Sequence, residues 1–199
     1  MSFFDQLAAE SIRSISSYIK TQTRLLVEQH EPNYASTPMS KVLDELEMDG
    51  AVDPSRLEDY FRFIEQSGLA EVYDLAWGYN LCTAEASRDA KYSNTRSALR
   101  FGVAINDLPS GGVDFLEDWP RSLVPIAALE SWGFAINCGV VDPGSVWSYD
   151  KFGYLNRTHQ SLGSFLSNLA DAYTKGTSFL DSTVRILRIS QDEEEIVWE

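Results

Sequence analysis

Between residues 119 and 175, short apolar segments alternate with turn formers and then give way to one long amphipathic period. Residues 123–127, 134–141 and 146–149 are apolar, and they are separated by residues 131–133 and by Asp142-Pro143-Gly144. Runs of that length bounded by such turns predict a meander of strands. Leu162, Phe165, Leu166, Leu169 and Tyr173 then recur on one face of a 3.6-residue period. This predicts a helix that closes the meander, with Ser161 as its N-cap and Gly176 as its stop.

The N-terminal half has a different grammar. Ser2-x-x-Asp5 reads as a capping box that opens a long amphipathic helix with Ile12, Ile15, Ile19 and Leu26 on one face, ending before Pro32. Thr37-Pro38 starts a second helix, with Met39, Val42, Leu43 and Leu46 inward and Gly50 at its end. Asp53-Pro54 repeats that start for a third, with Leu57, Tyr60, Phe61 and Ile64 inward and Gly68 after it. Their outer faces carry Asp44, Glu45, Glu47, Glu58, Asp59 and Glu65, which predicts a solvated acidic face. Aromatic Tyr73, Trp77 and Tyr79 around Gly78 suggest a strand or loop packed under the sheet, and residues 99–105 read as a strand. Gly111-Gly112 marks a loop, and residues 178–191 read as a helix or an edge strand.

The expected fold class is α+β: N-terminal helices, a central antiparallel sheet drawn mainly from residues 99–160, and a packed C-terminal helix. The expected division is an N-terminal helical extension at 1–35, an α+β domain at 36–191 and an acidic tail at 192–199.

The order of these features resembles the SUKH superfamily, the Smi/Knr-type proteins that include bacterial toxin-neutralising immunity proteins. Pro125-Ile126-Ala127, Gly133 and Ile136 echo that family's "P-I-A…G-x-x-I" segment. Gly144, Val146, Trp147 and Asp150 echo its "G-x-V-W/Y-x-x-D", and Ser164, Phe165 and Leu166 its "S-F-x-x-F-L". Upstream, Leu57, Asp59, Tyr60, Phe63 and Ile64 fit "L-P-x-D-Y-x-x-F-L", although Glu58 stands where proline is common and Ser67-Gly68 replaces Asn-Gly. The resemblance spans roughly residues 56–173 and implies an α+β fold that neutralises a cognate toxin by covering its surface.

Charge narrows the choice of partner. The chain carries a net charge of −14, and the excess is confined to two blocks: residues 31–85, with twelve acids and three bases, and residues 192–199, with five acids. Such a chain repels nucleic acid and anionic membranes and attracts a basic partner at long range. The alternative is that the acidity serves solubility. No apolar run approaches a membrane span and the first residues lack a signal-peptide pattern, so the expected location is the cytoplasm. Cys82 and Cys138 have no metal or redox spacing and read as buried thiols.

Catalytic chemistry finds little to stand on. His30 and His159 are the only neutral-pH bases, and no nucleophile elbow surrounds Cys138. Gly111-Gly112 lacks the Gly-Lys-Ser/Thr of a phosphate loop. Asp44, Glu45, Glu47 and Asp49 follow helical rather than EF-hand spacing, so no metal or cofactor is expected. The expected function is therefore a non-catalytic immunity protein bound to a basic protein partner, a toxin domain such as a nuclease. The alternatives are an acidic regulatory or scaffolding adaptor of the same fold and a small hydrolase. Expected partner-binding residues are Asp44, Glu47, Asp59 and Glu65 on the helices, and Asp114, Glu117, Asp118, Trp119, Trp147 and Asp150 in the sheet-side loops. Tryptophan beside acids is the usual centre of a binding hot spot, although a half-buried core place is its default. The same two readings apply to Trp198 in the charged tail: docked on the body or engaging a partner.

Overall fold

A computed structural model describes residues 2–23, 37–48, 53–101, 115–116, 119–120, 122–130, 132–140, 142–150, 155–190 and 194–199, with backbone alone for 48, 95–101, 115–116 and 119–120. The fold is α+β. A five-stranded antiparallel sheet runs in the order β1 (Asn80–Leu81), β4 (Leu123–Leu129), β5 (Trp132–Asn137), β6 (Val146–Tyr149) and β7 (Leu155–His159). β2 (Phe115–Leu116) and β3 (Trp119–Pro120) form a separate short ladder, and β8 (Val184–Arg188) and β9 (Glu194–Trp198) a separate hairpin. Five α-helices accompany the strands: α1 (Gln6–Gln22), α2 (Met39–Met48), α3 (Glu58–Ser67), α4 (Ala84–Phe101) and α5 (Leu162–Lys175).

The meander forms where the sequence predicts it. β5 pairs with β4 through Val124↔Ile136 and with β6 through Ala135↔Trp147. The β4–β5 register slips between Pro125 and Ala127, and Gly133 sits opposite this bulge at φ 153°, where an added Cβ would lie 2.0 Å from the Ala127 carbonyl oxygen. Only glycine allows the two backbones to approach that closely. Residues 138–140, expected at the end of the second strand, lie outside it, because Asn137 turns the chain: its Oδ1 accepts from the Gly139 N–H at 2.8 Å. β7 has no counterpart among the apolar runs of the sequence. Leu-Asn-Arg-Thr-His is mostly polar because β7 is an edge strand, so it lacks the alternation that marks a half-buried one.

One face of the sheet is covered by α5, with α1 packed alongside that helix. Phe165, Leu166 and Leu169 are fully buried, and the Phe165 ring centroid lies 5.1 Å from that of Phe134 on β5. α5 is capped as expected: Ser164 N–H donates to Ser161 Oγ, Ser161 N–H donates back to Ser164 Oγ, both at 3.1 Å, and Gly176 closes the helix at φ 67°. Fully buried Ile12, Ile15 and Ile19 place α1 in the same core, alongside α5. Gly163 permits this approach, since a Cβ there would meet the Asp5 carboxylate at 2.8 Å. The cap of α1 differs from expectation. Asp5 itself accepts from the Ala8 N–H at 2.8 Å, whereas Ser2 donates to the Arg56 carbonyl at 3.2 Å and so ties the N-terminus to a distant turn.

The other face of the sheet carries Leu123, Ala135, Trp147 and Tyr149 and is met by α4. Here the sequence reading is corrected: residues 99–101 belong to α4 and are not a strand, and 102–105 lie outside the described residues. α4 escaped notice because its inward side is Ser87, Lys91 and Asn94, all buried, with Ala84 and Ala90 as its buried apolar residues. The third expected helix opens as a 3-10 turn, Pro54–Leu57. Asp53 is left-handed, at φ 54°, and makes no side-chain cap bond to the helix. Residues 178–191 contribute strand β8, and within the expected acidic tail Glu194–Trp198 forms strand β9.

Candidate functional site

Two buried stripes hold the acidic helices in place. Val42, Leu43 and Leu46 anchor α2; Tyr60, Phe61 and Ile64 anchor α3, and the Tyr60 hydroxyl donates to the Ile126 carbonyl on β4 at 2.8 Å. With those stripes inward, Asp44, Glu47, Asp59 and Glu65 are all exposed. Their neighbours come from α4. Arg88 donates to Glu45 Oε2 at 3.0 Å and to Asp89 Oδ1 at 2.9 Å, so α2 is bridged to the start of α4. Glu85 accepts from the Thr37 N–H at 2.8 Å, and this hydrogen bond holds its carboxyl below the usual range. Glu65 meets the same turn of α4. Desolvation there, with the charge of Glu85 as a lesser contribution, raises its carboxyl above the usual range.

Three further acids that the sequence reading did not select line a cleft of about 480 Å³ between the β1–β4 edge and α4. They are Glu71, Asp89 and Glu130, interspersed with Asn80, Thr83 and Ser93. Glu130 occupies the turn between β4 and β5 at φ 55°. These acids come from three elements far apart in sequence, so no linear pattern marks them.

The sheet-side group behaves differently. Asp114, Glu117 and Asp118 lie outside the described residues, as does the side chain of Trp119, whose backbone pairs with Leu116 in the short β2–β3 ladder. Asp150 is half-exposed and is engaged; its charge adds to burial in raising the Tyr79 hydroxyl. Trp147 is corrected from surface anchor to core residue. It is 3% exposed, opposite Ala135, and its indole N–H donates to Ser145 Oγ at 2.9 Å. Trp198 docks on the body: its Nε1 donates to the Asp74 carbonyl at 2.8 Å and its ring meets Tyr173 edge-on.

The cysteines and the described histidine that the hydrolase alternative would use are all buried. The thiols of Cys82 and Cys138 are free, buried, and pushed up to about 12 by desolvation, so at neutral pH they are protonated and unreactive. His159 is held in an aromatic niche, stacked on Phe179 at 18° with Phe165 edge-on, and burial lowers its pKa to about 4. His30 lies outside the described residues. Among the described residues no group of three or more His, Cys, Asp and Glu could hold a metal ion, and no helix is long and apolar enough to cross a membrane.

Compared with known proteins, the chain matches no family model and no curated protein.

Proposed function

We propose that this is a non-catalytic binding protein of the SUKH immunity kind, acting in the cytoplasm, whose acidic helical face takes the basic surface of a toxin domain. The observation that carries this reading is the exposure of Asp44, Glu47, Asp59 and Glu65 on two helices whose opposite stripes are buried in the core. A rigidly mounted acidic face accelerates encounter with a basic partner and costs little to order on binding. The cleft lined by Glu71, Glu130 and Asp89, the last already paired with Arg88, suits a lysine or arginine side chain of the partner. Asp114, Glu117, Asp118, Trp119 and Asp150 belong to the proposal on the resemblance and their sequence setting alone. Burial of both thiols and of His159 favours binding over hydrolysis.

The test is binding kinetics against the product of the neighbouring gene at two ionic strengths. Charge reversal of Asp44, Glu47, Asp59 and Glu65 together should slow association roughly tenfold at low salt and flatten its salt dependence, with the circular dichroism spectrum unchanged. Charge reversal at Glu71, Asp89 and Glu130 should act on dissociation. Rates unchanged in both sets would remove the electrostatic reading and favour an adaptor whose acidity serves solubility.

A further inference from the structure

Most of the basic side chains that the structure describes are spoken for. Arg62, Arg88, Arg157, Lys175, Arg185 and Arg188 each reach a carboxylate, as does Lys41 at 4.0 Å; Arg56 stacks over Phe3, and it and Lys91 have further partners. Arg13 and Lys20 have no ion-pair partner among the described side chains, and both line the same groove of about 440 Å³ between α1 and α3. The groove has no acidic side chain in its lining.

Its other groups are hydrogen-bonding ones. Ser16, Ser17, Thr21, Gln66 and Ser67 surround the two cations, and Phe63 forms the apolar wall, with the Arg13 guanidinium 5.2 Å above its ring. Thr21 and Ser67 are committed to backbone carbonyls of their own helices. Ser16 is not. It is only 8% exposed and has no protein hydrogen-bond partner, so the groove is where its hydroxyl finds one. Lys20 in the last turn of α1 also offsets the negative end of that helix, but Arg13, two turns earlier, has no such role. The nearest acid on α1, Glu10, one turn before Arg13, accepts from Gln6 Nε2 at 2.6 Å, and Glu58 on α3 is held by Arg62.

We propose that this groove is a binding site for a small organic dianion held at both ends, one acid group on Arg13 and one on Lys20, with the Ser16 hydroxyl, one turn from Arg13, donating to the first. The seven-residue separation along α1 places the two cations about 10 Å apart along the helix axis. The groove volume falls within the range of small-molecule sites. The site is separate from the acidic face and does not depend on the immunity reading: it takes ligands of the opposite charge.

The test is a ¹H–¹⁵N NMR titration of the full chain at low ionic strength with octanedioate, whose carboxylates span the required distance, and in parallel with inorganic phosphate. Expected is a saturable response in the millimolar range or tighter, confined to residues 13–21 and 63–67, with octanedioate binding more tightly than phosphate. Arg13→Gln and Lys20→Gln should each weaken octanedioate roughly fivefold or more, while Lys41→Gln, at an exposed cation elsewhere, should not. Arg13 and Lys20 lie off the buried stripe of Ile12, Ile15 and Ile19, so these variants should fold, as their unperturbed spectra would confirm. No saturable response, a response spread over the surface, a response indifferent to both substitutions, or phosphate equal to octanedioate would each overturn the proposal.

Discussion

The helices on the two faces of the sheet bury opposite kinds of side chain. α5 buries Leu162, Phe165, Leu166 and Leu169, a stripe whose only currency is apolar area and shape. α4 buries Ser87, Lys91 and Asn94, and its docking on the sheet uses directed bonds such as Ser87 Oγ to the Pro125 carbonyl at 2.6 Å. The contrast shows that a helix can pack on a sheet without an amphipathic signature when a buried polar group such as Ser87 finds its partner across the interface.

The comparison breaks most visibly at Phe165. Phe165→Ala should cost about 3–5 kcal/mol, since the ring is fully buried among Phe134, Phe179 and His159 and the cavity left behind cannot collapse against a sheet. Urea denaturation measures it, and a loss under about 1 kcal/mol would mean that α5 is not held by apolar packing.

His159 sharpens the same face through pH. Burial lowers its pKa to about 4 from an unfolded value of 6.5, so the unfolded chain binds a proton that the folded chain refuses. Stability from this site is complete above pH 6.5, falls as pH drops from 6.5 towards 4, and levels off below that. The loss is of the order of 3 kcal/mol. His159→Leu should remove this part of the acid sensitivity, seen as the difference between the two proteins' stability profiles over that window. Glu65 and the other carboxylates titrate in both proteins and cancel in that difference. Parallel profiles would show that the imidazole is not excluded from water.

On the α4 face, Ser87→Ala should cost about 1–3 kcal/mol by leaving the buried Pro125 carbonyl without its donor. Ser87→Thr, which keeps a hydroxyl, should recover part of it. If alanine is neutral, α4 is held by area after all and the contrast with α5 disappears.

The candidate site divides along similar lines. Asp44, Glu47, Asp59 and Glu65 were identifiable in sequence because their helices carry apolar stripes, and a stripe that must be buried dictates which residues face water. Trp147 was misassigned as an anchor because a tryptophan on a strand has two faces to choose between. The sequence does not say that α4 will cover the one it occupies. Glu71, Asp89 and Glu130 had no sequence signal, since only the return of β1 beside β4 and of α4 beneath them brings the three together.

Local periodicity and punctuation by themselves determined the three central strands, the capped α5 and the apolar faces of α1, α2 and α3. Those features are written in contacts between residues a few positions apart, where spacing alone selects a helix or a strand. Tertiary structure alone decided the edge strand β7, the polar-faced helix α4, and the docking of the C-terminal hairpin through Trp198. Each depends on a partner supplied from elsewhere in the chain: a β6 backbone for β7, carbonyls such as that of Pro125 for α4, and the Asp74 carbonyl for Trp198. A hydrogen bond to a distant group leaves no period in the sequence that makes it.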